Sequence, residues 1–143
     1  MKKIILIGLF LSTIMSLQAQ EWLTDFEEAK NIASQNNRNI VLVFQGSDWC
    51  APCIKLEKEI LNSDEFVSYS KAHFVMLKAD FPRKKKNKLD KEQQEKNSKL
   101  AEIYNTKGFF PLVVVLNNEG KVLGKSGYKN IKPTAYINLL ASF

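Results

Sequence analysis

The sequence predicts an α/β sandwich: three layers, with a mixed central sheet and helices on both faces. Three observations predict it. Residues 40–44 (IVLVF), 73–79 (HFVMLKA) and 112–116 (LVVVL) are short runs rich in apolar and β-branched side chains. Such runs suit strands covered on both faces. Stretches with apolar residues at helical spacing separate them, the pattern of crossover connections. The turn residues NNEG at 117–120 then join the third run to residues 121–126 as a hairpin. The crossovers imply parallel strands, and the hairpin an antiparallel pair.

Taken in order, Thr24 and Glu27 read as a capping box, each side chain satisfying an otherwise free backbone N–H. Phe26, Ala29, Ile32 and Ala33 follow at helical spacing, so an amphipathic helix is expected over 25–36. Asn36, Asn37, Arg38 and Asn39 end it before the first strand. A second helix opens near Cys50 and runs through Ile54, Leu56, Ile60 and Leu61. Ser63 can cap a short helical segment carrying Phe66 and Tyr69. His73 opens the second strand. Residues 82–99 are lysine-rich and poor in apolar side chains, an insertion expected to be a solvated, mobile loop leading into an exposed helix. That helix gains a buried face near Leu100, Ile103 and Tyr104. After the hairpin, Pro133 fits the first turn of a last helix, with Ile137 and Leu140 facing inward.

The chain opens MKKIILIGLFLSTIMSLQAQ: a basic start, a short apolar run, then a short, mostly polar tail. That order is a secretory leader, read as residues 1–19, and the run is too short for a stable membrane span. Residues 20–143 then form one exported domain with a single core. A periplasmic location is expected, where an oxidising setting permits disulfides. No cysteine stands at the cleavage site, so a lipid anchor has no support.

The net charge of +6 is mostly one local feature. Arg83, Lys84, Lys85, Lys86, Lys88, Lys91, Lys96 and Lys99 stand against Asp90, Glu92 and Glu95, a net of +5 within that stretch. The run could attract acidic partners or lipid heads. It lacks the interleaved aromatics that bind nucleic acid, and export also argues against such a partner.

Both cysteines lie in GSDWCAPC, residues 46–53. Cys50 directly follows a buried strand and opens a helix. There it faces N–H groups without intrahelical partners and the positive helix end, both of which favour thiolate. A free thiol titrates near ~8.5, and such settings commonly bring it to ~7 or below. Cys53, one turn later, shares the helix face and can close a disulfide with Cys50. Pro52 is tolerated because the first turn needs no N–H from it. A structural zinc site normally takes four ligands, and this chain adds only His73 to the two thiols. A disulfide closing so small a loop constrains the unfolded chain little. The strand–CxxC–helix context therefore points to redox chemistry: Cys50 attacks and Cys53 resolves.

At Trp49-Cys50-Ala51-Pro52-Cys53, and again over residues 104–128 (YNTKGFFPLVVVLNNEGKVLGKSGY), the sequence resembles the thioredoxin superfamily. The likeness covers nearly all of residues 20–143, least before Asn39 and across 82–99. It is nearest to exported thioredoxin-like domains that reduce periplasmic thiols. The resemblance implies that Pro111 is a cis-proline against the cysteine pair, offering no N–H to compete for the thiolate. It also implies that the Phe110 backbone pairs with an extended substrate and that Trp49 shields the sulfurs and helps dock it. The expected activity is protein-disulfide reduction, with no cofactor beyond the Cys50–Cys53 disulfide. Protein thiols and disulfides are the expected substrates, a membrane protein the electron donor, and a monomer the working form.

Two departures stand beside that likeness. The family's buried strand acid, six positions before the first cysteine, is Phe44 here, and the threonine after the cis-proline is Leu112. They motivate two competing readings: a non-catalytic binding module on the same fold, or a reductase serving one client such as apocytochrome c. Asp48 and Glu57 are the acids nearest in sequence to the pair.

Overall fold

The computed structural model describes residues 19–143, so the expected leader, apart from Ala19, lies outside the described residues. Each apolar run becomes a strand whose side chains alternate between two cores. Strand β1 spans Asn39–Gln45, β2 Phe74–Asp80, β3 Leu112–Leu116 and β4 Val122–Ser126. They form one sheet in the order β2-β1-β3-β4. Ile40, Leu42 and Phe44 of β1 face one core with Leu77, Ala79, Leu112 and Val114. Val41 and Val43 face the other with Met76, Val113 and Val115. This period of two, with both sides buried, is why the runs are continuously apolar.

Helices α1 (Phe26–Asn36) and α4 (Lys91–Tyr104) cover the first face through Ala29, Ala33, Leu100 and Tyr104. The second face is covered by α2 (Ala51–Leu56) with its π-helical extension Glu57–Leu61, by α3 (Asp64–His73) and by α5 (Pro133–Ala141). The extension is marked by Asn62 N–H donating to the Glu57 carbonyl, five residues back, at 2.9 Å. Three layers with a mixed sheet result, as the sequence predicts.

Several local expectations change. The cap of α1 is Asp25, whose Oδ1 accepts from Glu28 N–H at 3.0 Å, and the Thr24–Glu27 box does not form. The Thr24 carbonyl instead accepts from Gln93 of α4 at 2.9 Å. His73 ends α3 rather than opening β2, with its ring stacked on Tyr69 at 4.1 Å. Ile103 is 65 % exposed. The buried face of α4 is completed by Asn97, whose side chain donates to the Asp80 carbonyl at 2.8 Å.

The strand directions also differ from the crossover expectation. Strand β2 is parallel to β1, but β3 runs antiparallel to it. Phe44 pairs with both Ala79, near the end of β2, and Leu112, the start of β3. The loop after α4 therefore brings the chain back to the end of the sheet that β2 left. On the outer edge of β2, Leu23 makes a single bridge to Leu77, exchanging 2.9 Å bonds with Met76 and Lys78.

Tyr136 of α5 is fully buried and donates its hydroxyl to the Gly127 carbonyl at 2.9 Å, tying the last helix to the end of β4. Burial pushes its phenol up to about 12. The neutral phenol thus adds stability that is present below pH ~10 and is lost as pH rises through the folded value. Tyr136→Phe is expected to cost about 1–3 kcal/mol by leaving the carbonyl unpaired. Urea unfolding at pH 7 measures that cost. The variant should also lose the phenol's share of the alkaline decline, and a parent-like profile would refute the assignment.

Candidate active site

Cys50 is the N-cap of α2: its Sγ accepts from Cys53 N–H at 3.3 Å. Strand β1 ends at Gln45, the turn at 46–49 redirects the chain, and the helix begins at Ala51. Pro52 stands in the first helical turn, where no intrahelical N–H is required. The two sulfurs are bonded at 2.06 Å, with the Cα atoms 5.2 Å apart. Cys50 keeps 4 % of its surface and Cys53 2 %, so the pair is nearly covered and Cys50 is slightly the more open. An N–H aimed at Sγ and the positive end of α2 both favour a sulfur anion at Cys50 once the bond is reduced.

The Phe110–Pro111 peptide bond is cis. It lies just before β3, and a groove of about 340 Å³ is lined by Phe109, Phe110, Pro111, Leu112, Lys125, Ser126 and Gly127. The loop ahead of it is held by Asn105, whose side chain accepts from Phe109 N–H and donates to the Phe109 carbonyl, both at 2.9 Å. Gly108 adopts φ 66°, a conformation that favours glycine. Phe109 is left 57 % exposed. Among the described residues, no hydrogen bond engages the Phe110 backbone.

Trp49 joins the two halves of the site. Its ring lies 5.5 Å from that of Phe110, which packs in turn on Phe81 at 5.5 Å. The indole N–H donates to the Phe81 carbonyl at 2.7 Å. Gly46 makes room for this ring: a Cβ there would overlap the Trp49 indole. Above the ring sits the Arg83 guanidinium, 3.7 Å from its centroid. Trp49, Phe110 and the cysteines are named by sequence reasoning. Phe81 is not, its only local signal being an aromatic residue in the polar stretch 80–88, and Arg83 is named only as part of the basic run.

The start of the lysine-rich insertion is solvated and bonded to the turn that precedes Cys50. The Asp48 carboxylate accepts from Arg83 N–H at 2.9 Å, Lys84 N–H at 3.0 Å and the Asn87 side chain at 2.9 Å. Next to it, Asp80 accepts from the Ser47 N–H and hydroxyl at 2.9 and 2.6 Å. The bond from Arg83 N–H, followed by those from Asn87 and Lys84, holds the Asp48 carboxyl below its ordinary value of 3.8. A depressed carboxyl contributes above its unfolded value, so the tether should weaken as pH falls below ~4. Asp48→Ala is expected to speed trypsin cleavage within residues 83–88 about tenfold at pH 8, since cleavage follows local opening. Limited proteolysis with mass mapping reads it, and an unchanged rate would exclude the tether.

Phe44, standing where a strand acid was sought, is fully buried. The two nearby acids are both engaged: Asp48 as described, and Glu57 in an ion pair with Lys78 at 3.4 Å. Among the described residues, no group of three or more His, Cys, Asp or Glu could hold a metal ion.

Comparison with known proteins agrees with this geometry. The family model of a thioredoxin-like domain matches residues 26–141. A disulfide bond reductase, DsbH of Chlamydia pneumoniae, is 38 % identical over 117 residues, covering 82 % of this chain and 69 % of that protein. The solved structure of a DsbH oxidoreductase superposes with a TM-score of 0.79 at 35 % identity, over 94 % of this chain and 92 % of that one. A thioredoxin from Thermus thermophilus shares the fold at a TM-score of 0.64 and 15 % identity, over 87 % of this chain and 86 % of that one. With its bonded Cys50–Cys53 pair at the start of α2, the chain belongs to the thioredoxin-like family, as a thiol–disulfide oxidoreductase.

Proposed function

We propose that this protein is an exported protein-disulfide reductase in which Cys50 attacks and Cys53 resolves. The observation that carries the assignment of roles is the N-cap geometry, Cys53 N–H on the Cys50 sulfur at 3.3 Å. In the reduced protein, the Cys50 thiolate attacks one sulfur of a substrate disulfide. That bond breaks, the other substrate sulfur leaves as thiolate and takes up a proton, and a mixed disulfide remains. Cys53 loses its proton and attacks the Cys50 sulfur. The second substrate thiol is released, and the protein carries the disulfide seen here. Two electrons have passed to the substrate. A membrane-bound donor then supplies two more to regenerate the dithiol.

Docking falls to the surface around the pair. Trp49 immediately precedes Cys50 and packs on Phe110, and the unengaged Phe110 backbone, ahead of the cis bond to Pro111, offers pairing to an extended substrate segment. The groove bounded by Phe109 and Gly127 receives neighbouring side chains. The direction of the reaction rests on the name of the Chlamydia relative and on the Cys-Ala-Pro-Cys sequence. Export rests on the leader-like residues 1–19, and the domain of residues 20–143 is supported by the match over 26–141. No helix among the described residues is long and apolar enough to cross a membrane.

The test is insulin reduction together with the reduction potential, measured by equilibration with dithiothreitol. Active turnover and a potential below about −200 mV are expected for a reductase. A potential near −120 mV, typical of a strong oxidant, would reverse the direction and leave the exchange chemistry standing.

A further inference from the structure

Five cations at the start of the insertion are tethered to the turn that precedes Cys50 and, among the described residues, are left without carboxylate partners. Arg83, Lys84, Lys85, Lys86 and Lys88 are all exposed, and among the described residues none of them forms an ion pair. Lys91 and Lys96, later in the insertion, and Lys30 and Lys78 outside it each meet a carboxylate. Asp80 turns its carboxylate to Ser47, and Asp48 next to it turns its oxygens to two backbone N–H groups and Asn87, so two carboxylates stand against five cations without pairing with any of them. The backbone is fixed by those three bonds and closed by the 3₁₀ turn Lys85–Asn87. Like charges on an untethered chain would spread apart; here the anchor is Asp48, two residues before Cys50. The patch also reaches the docking surface directly, through the Arg83 guanidinium 3.7 Å above the Trp49 ring.

We propose that this patch is a specificity surface for acidic protein segments: a substrate whose reducible disulfide is flanked by Asp or Glu lies along residues 83–88 while its sulfur meets Cys50. The proposal rests on the oxidoreductase reading and adds the substrate class to it. A protein segment fits better than a lipid surface for two reasons. Residues 83–88 contain no apolar side chain to enter a bilayer. A membrane held there would also lie against Trp49 and obstruct the sulfurs, whereas an extended chain leaves them open. Unpaired cations beside a reaction centre raise the encounter rate of an oppositely charged partner, and added salt removes the gain.

The test uses reduced protein and three oxidised peptides that share one intramolecular disulfide and differ only in flanking residues: four Glu, four Gln or four Lys. Each reaction oxidises the Cys50/Cys53 dithiol and reduces the peptide disulfide, and stopped-flow thiol quantitation gives its second-order rate. At low salt the Glu peptide is expected to react about tenfold faster than the Gln peptide, and the Lys peptide slower than both. The Glu advantage should shrink at 0.5 M NaCl. It should vanish in a variant carrying Lys84→Gln, Lys85→Gln, Lys86→Gln and Lys88→Gln, which keeps the Lys84 N–H on Asp48. Equal rates for the Glu and Gln peptides, or an advantage retained in the variant, would overturn the proposal. If preference is absent and phosphatidylglycerol vesicles co-sediment the parent but not the variant, the patch is a lipid contact and the proposal fails. Lack of reaction with all three peptides defeats the oxidoreductase reading itself, a different failure from loss of preference.

Discussion

Cys50→Ser is expected to lower insulin reduction by about three orders of magnitude or more, while Cys53→Ser stops the reaction halfway. The two cysteines are close in sequence and bonded at 2.06 Å, yet the roles proposed for them are not symmetric. Cys50 receives the Cys53 N–H at the start of α2, and in the proposed mechanism its thiolate attacks. A serine hydroxyl ionises too weakly to take its place, and removing a nucleophile collapses the whole reaction rather than a share of it. Cys53→Ser leaves the attack intact and removes the group that releases the mixed disulfide. Substrate should therefore accumulate covalently on Cys50, recoverable under non-reducing conditions and identifiable by mass. Parent and Cys50→Ser proteins with equal activity, or neither with any, would favour the binding-module reading. Covalent products confined to one client would instead mark a dedicated reductase.

The second large effect concerns stability. Phe44→Asp would introduce the strand acid that the resemblance leads one to look for, and it is expected to unfold the domain. Phe44 is fully buried on the α1/α4 face of the sheet, between Ala79 on β2 and Leu112 on β3. Removing a buried phenylalanine ring alone costs about 3–5 kcal/mol. The new carboxylate would also lose its water among apolar neighbours, unless it took up a proton. Against a typical net stability of about 5–15 kcal/mol, the sum leaves little or no folded protein at neutral pH. Circular dichroism with urea titration measures this. A cooperative transition at the parent's midpoint would show that this position tolerates charge. Phe44 belongs to an apolar core cluster, and the resolution proposed for Cys53 uses no acid on that strand.

The residues differ in how openly the sequence declares them. The β1 run is legible because every side chain from Ile40 to Phe44 is buried, leaving no polar position to blur the pattern. Ser63 is legible as a cap because its hydroxyl meets Phe66 N–H three residues away. The Thr24–Glu27 pattern reads as a capping box, yet Asp25 caps α1, while the Thr24 carbonyl accepts from Gln93 of α4, 69 residues away. Ile103 has the same chemistry as Leu100 but faces solvent, because Asn97 sits on the buried side to satisfy the Asp80 carbonyl. A polar residue that earns burial through one distant hydrogen bond looks like any surface asparagine in the sequence.

The sequence by itself determined the strands, the helix that Cys50 caps and the pairing of two thiols one turn apart, because these depend on side-chain periodicity and on groups within four residues. Only the tertiary structure decided the direction of β3, the stack of Arg83 on Trp49 and the fastening of the basic segment by Asp48, 35 residues before Arg83. Those depend on which surfaces meet after the sheet has closed, and no local pattern encodes a meeting between groups so far apart along the chain.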